Sequence, residues 1–100
     1  MGKHTWTKTE DLYCCLACLV YAMEGKGNDV RPLYEELCTN LPHIKPGSIH
    51  MKMQNIKQLF EEHRLKYVFA ISPLEQYSIQ CKTAFMEALC SKDGEKESEK

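Results

Sequence analysis

Pro46-Gly47-Ser48-Ile49-His50-Met51-Lys52-Met53-Gln54-Asn55-Ile56 is the stretch that decides the fold of this 100-residue chain. The fixed φ of proline suits a first helical turn, so the run reads as a helix from near Pro46 to about Phe60. At about 100° per residue Ile49, Met53, Ile56 and Phe60 share one face. Ser48, Met51, Lys52 and Asn55 form a neighbouring stripe rotated away from it. Two faces imply two jobs, one toward a core and one toward a partner.

Helix signals recur on both sides of this run. Thr7 followed by Glu10 is a capping-box pattern that opens a helix running to about Met23, with Gly25 and Gly27 ending it. Leu12 to Met23 is uncharged and apolar or small on every side, so this helix is expected to be surrounded rather than half exposed. Asp29 is placed to cap a second helix, Pro32 falls within its first turn, and Leu33, Leu37 and Leu41 give it a buried stripe before Leu41-Pro42 stops it. From Leu65 to Ile71 apolar side chains alternate with Lys66, Val68 and Ala70, which reads as extended. A lone strand needs a partner, from this chain or from another copy in a homodimer. Ser72-Pro73-Leu74-Glu75 supplies a cap, a first-turn proline and an acid, opening a last helix. Its stripe of Leu74, Tyr77, Cys81, Ala84, Phe85, Ala88 and Leu89 is expected to cover the first helix.

The expected fold is therefore all-α. One helical domain spans 1–90, with a helix-turn-helix core at about 6–60, an extended segment at 65–71 and a C-terminal helix at 73–90. Residues 91–100, only charged residues, Ser and Gly, form an expected disordered tail.

Charge narrows the function classes. Formal charges nearly cancel at −1, so no global field draws the chain to nucleic acid or an acidic membrane. Residues 41–70 nevertheless carry five Lys or Arg against two Glu, a local +3, while the segments on either side each carry four basic and six acidic residues. The middle is the anion-facing part, and His43, His50 and His63 can add to its charge at lower pH. The chain opens with polar residues rather than a secretory signal, and Leu12 to Met23 is too short to cross a bilayer. A cytoplasmic protein without membrane contact is expected. Adjacent Cys14-Cys15 and the absence of a signal favour free thiols over a disulfide framework. Cys14, Cys15 and Cys18, with Cys38 or His43, could suggest zinc. Zinc ligands usually come from turns, however, and thiols inside an apolar helix behave as small hydrophobes. No metal or cofactor is expected, and no Cys–His pair with an orienting acid suggests catalysis.

A short, amphipathic third helix flanked by basic residues is shared by helix-turn-helix modules, in which it enters the major groove. Trp6-Thr7-Lys8-Thr9-Glu10-Asp11 resembles the W-T-x-E-E/D opening of Myb/SANT-like domains. Ser48-Ile49-His50-Met51-Lys52-Met53-Gln54-Asn55 resembles the S-V-x-M-K-L-x-N run of a module found ahead of some bacterial HNH endonucleases. No H-N-H triad follows here, so the resemblance implies binding and not cleavage. The implied function is a small non-catalytic DNA-binding protein, a regulator or a phage or mobile-element factor, with double-stranded DNA as partner. In that reading Lys45, Lys52 and Lys57 neutralise phosphates, Gln54 or Asn55 pairs with adenine, Ser48 and Met51 lie near base edges, and His50 completes the set. The alternative is a protein-interaction module, a SANT-like adaptor or inhibitor, gripping its partner with the same helix.

Overall fold

The computed structural model describes residues 4–98, with side chains through Ser91. It contains four helices, α1 (Lys8–Met23), α2 (Arg31–Asn40), α3 (Pro46–Glu62) and α4 (Ile79–Ser98), and no strand among the described residues. The fold is all-α, as expected. The expected tail at 91–100 is helical as far as Ser98, as part of α4; the side chains from Lys92 on, and all of residues 99 and 100, lie outside the described residues.

Local chemistry sets the ends of α1. Thr7 accepts from the Glu10 N–H while the Glu10 carboxylate accepts from the Thr7 N–H, a complete capping box. At the other end Gly25 takes a left-handed φ of 81°, and the Lys26 N–H reaches the Tyr21 carbonyl in a Schellman closure. The same closure ends α3 with Arg64 at φ 55° in the glycine position and Leu65 N–H donating to the Phe60 carbonyl. In α2, Val30 rather than Asp29 is the N-cap residue. Asp29 sits one position earlier, where its Oδ1 accepts from both the backbone N–H and the Nε of Arg31.

The core gathers Cys14, Cys15, Cys18 and Leu19 from α1, Leu33 and Leu37 from α2, Ile49, Met53, Ile56, Leu59 and Phe60 from α3, and Cys81, Phe85 and Ala88 from α4. Phe60 stacks on Phe69 at 5.2 Å and meets Phe85 at 5.8 Å. Helix α4 makes its most extensive contact with α1, which places it where the apolar first helix needed cover. That cover is one-sided. Leu12, Leu16, Val20 and Met23 stay half-buried, so α1 is not surrounded as its all-apolar sequence suggested.

Residues 65–78 depart most from expectation. Their burial alternates as the sequence does, with Phe69 buried, Leu65, Tyr67 and Ile71 half-buried, and Lys66, Val68 and Ala70 exposed. No strand ladder forms, because the segment's partner is one turn. The Ala70 N–H donates to the Gly27 carbonyl at 2.8 Å, and a Cβ on Gly27 would fall 1.8 Å from the Val68 carbonyl oxygen. Gly27 therefore admits the chain to the core rather than only ending α1.

The last helix begins at Ile79, not at Pro73. Ser78 Oγ accepts from the Cys81 N–H at 3.0 Å and is the cap in use. Residues 72–78 instead lie along α3, where the Leu74 N–H donates to the Gln54 carbonyl at 3.1 Å. With its amide turned to face these acceptors, Asn55 donates to the carbonyls of Leu74 at 3.0 Å and Gln76 at 2.8 Å. These long-range bonds hold the backbone extended and outweigh a local cap signal.

Candidate functional site

Three segments meet over the first turns of α1 and α3. Asp11, the last charge before the uncharged stretch of α1, is completely buried, on the same face as Cys14, Cys15, Cys18 and Ala22. Lys52 lies three residues beyond Ile49, beside the buried stripe of α3, and is only 5% exposed. Its Nζ is 2.6 Å from Asp11 Oδ1 and 4.6 Å from the centroid of the Trp6 ring. The ammonium is thus sandwiched between a carboxylate and an aromatic face. Gln80, in the first turn of α4, donates to Asp11 Oδ2 at 2.8 Å and to the Trp6 carbonyl at 2.7 Å. One buried ion pair so ties the N-terminal segment, α1, α3 and α4 together.

Beside this pair lies a cavity of about 210 Å³ lined by His4, Trp6, Ser48, Met51, Lys52, Asn55 and Ser78. Four of the seven come from the stripe of α3 that turns away from its apolar face. A second, larger cavity of about 340 Å³ between the starts of α1 and α4 is lined by residues such as Ile79 and Thr83 and has no buried charge on its wall.

The eight residues expected to contact DNA do not share one exposed stripe. Lys45 and His50 are exposed at the start of α3, Ser48 is half-buried, and Met51 is 49% exposed. Lys52 is a correction: its charge is spent on Asp11 beneath Trp6 rather than offered to phosphates. Asn55 is another, since its amide holds the carbonyls of Leu74 and Gln76 and is not free to pair with adenine. Gln54 is half-buried below the same segment, and Lys57 is half-buried with Glu61 Oε2 at 3.7 Å. What remains accessible is the first two turns of α3. The N-cap residue Lys45 makes no side-chain cap, so no side chain of its own caps the N–H groups that open this helix.

Sequence reasoning missed Trp6, Asp11 and Gln80 as one unit. A signal existed for Asp11 alone, because helical spacing puts it on the face of Cys14, Cys15 and Cys18, where a buried charge must find a partner.

A further polar cluster borders the cavity through His4. Its Nε2 is 2.8 Å from Glu10 Oε1, and His43 Nε2, from the α2–α3 connection, is 2.6 Å from Glu10 Oε2. His4, then His43 and the Thr7 N–H, pull the Glu10 carboxyl down to about 2, so it is ionised across the neutral range. Burial pushes the Cys14 thiol up to about 12 and Cys18 well above its ordinary value, which keeps both protonated and unreactive. No known protein family, curated protein or solved structure matches the chain.

Proposed function

We propose that this chain is a small non-catalytic DNA-binding module that meets the duplex with the N-terminal end of α3. The observation that carries the reading is the accessible start of that helix, where the positive end of the helix dipole lies beside exposed Lys45, His50 and Met51. The likeness of the Trp6–Asp11 and Ser48–Asn55 motifs to Myb/SANT-like modules supports it. Recognition helices commonly touch base edges with their N-terminal residues, so a helix buried along its middle can still serve. Lys45 at the positive end of the helix holds phosphates, Ser48, His50 and Met51 face the bases, and Lys52 keeps α3 in position without touching DNA.

Fluorescence anisotropy on a random-sequence duplex, run from low to physiological salt, tests this. Affinity should fall steeply with salt, and Lys45→Ala should flatten the log–log slope by about one unit. An absence of binding at low salt, or binding indifferent to salt, rejects the reading and favours a protein-interaction module that uses exposed Met51.

A further inference from the structure

The geometry points to a binding site for a zinc-class divalent metal ion formed by His4, Glu10 and His43. The three residues come from separate parts of the chain: the N-terminal segment, the first turn of α1 and the α2–α3 connection. Their ligating atoms nevertheless all lie within 4.8 Å of one another. Both imidazoles direct Nε2 at the same carboxylate, one at each oxygen.

Two neutral imidazoles and a carboxylate are a donor set that zinc accepts, at ligand distances of about 2.0–2.2 Å. A small rotation of the two rings admits an ion in place of the hydrogen bonds each makes to Glu10. The cluster is also braced from outside. The Thr7 N–H donates to Glu10 Oε1 at 3.1 Å, and the His4 ring meets the Trp6 ring edge-on at 5.3 Å, so two of the three ligands are already oriented. Three protein ligands leave one tetrahedral position for water or an outside donor, and one of the ligands, His4, also lines the Trp6–Lys52 cavity. The buried thiols are not competitors, because zinc binds thiolate and these are held protonated.

A bound ion would join the N-terminal segment and the first turn of α1 to the α2–α3 connection and add positive charge beside the cavity. The site itself rests on the three side chains and not on DNA binding.

Native mass spectrometry and calorimetric titration of the full chain, stripped with chelator and then given zinc, test the proposal. One zinc per chain and a raised melting temperature are expected. His43→Ala, at an exposed position that leaves folding intact, and Glu10→Gln, which keeps an acceptor for Thr7, should each weaken binding at least about tenfold. Cobalt(II) in place of zinc should give a visible spectrum without a thiolate charge-transfer band. A chain that stays metal-free with equimolar zinc overturns the proposal. So does zinc retained equally by His43→Ala, or zinc released when Cys38 and Cys90 are changed to Ser.

Discussion

Met51 and Lys52 are neighbours, yet a rotation of about 100° separates a half-exposed thioether from an ammonium buried under Trp6. Removing one member of a buried pair strands the other, so Lys52→Ala should cost about 3–5 kcal/mol in urea unfolding. Lys45→Ala, at an exposed cap, should change stability by no more than about 0.5 kcal/mol. The double variant Asp11→Asn/Lys52→Met should lose clearly less than its two single variants added together. Simple additivity in that cycle would show that the two charges do not interact. Tyr77 and Glu62 give a pH-dependent counterpart at the surface. The Tyr77 hydroxyl donates to Glu62 Oε1 at 2.5 Å and, with Gln58, holds the Glu62 carboxyl below its ordinary value. A carboxyl depressed in the folded state binds fewer protons there, so its contribution is present above the ordinary carboxylate range and is lost as pH falls through it. Tyr77→Phe should return the Glu62 titration toward its ordinary value, read by carboxyl chemical shifts. An unchanged titration would show that this hydrogen bond is not formed in solution.

At the scale of elements, the two serines before α4 separate local signals from tertiary ones. Ser72-Pro73-Leu74-Glu75 is the better capping sequence, while the cap in use is Ser78, whose Oγ receives the Cys81 N–H. Ser78→Ala should cost about 1 kcal/mol, whereas Ser72→Ala should be close to neutral. Equal losses would place the helix start earlier, in solution, than Ile79. The starts of α1 and α3 were legible because Thr7–Glu10 and Pro46 act within one turn. The buried faces of α2 and α3 were legible because Leu33, Leu37, Ile49, Met53 and Ile56 follow the helical period. The start of α4 was not, because the carbonyls of Leu74 and Gln76 are held by Asn55, some twenty residues earlier in the chain. No local pattern encodes that bond. The same holds for Gly27, which reads as a helix stop and is also the gap past which the backbone of residues 68 and 69 runs as Phe69 enters the core.

Across the whole molecule, the candidate site is where sequence reading went furthest and also where it stopped. Ser48, Met51, Lys52 and Asn55 do line one cavity, as membership of a common stripe suggested. Periodicity could not show that Trp6 and Asp11 close over Lys52 and residues 72–78 over Asn55, leaving the start of α3 outside. Acidic residues cluster elsewhere: residues 1–40 carry six acidic against four basic residues, so the start of α3 stands out from its surroundings. Under the proposed DNA-binding reading, an anionic duplex would approach at Lys45 and His50. The most direct test of this picture is a map of amide chemical shifts as a short duplex is added at low salt. The amides from Lys45 to Met51 and the Trp6 indole should move first, with smaller changes along the rest of α3 and reversal as salt is raised. Shifts confined to α4, or none at low salt, would contradict the assignment of the N-terminal end of α3 as the DNA-binding surface.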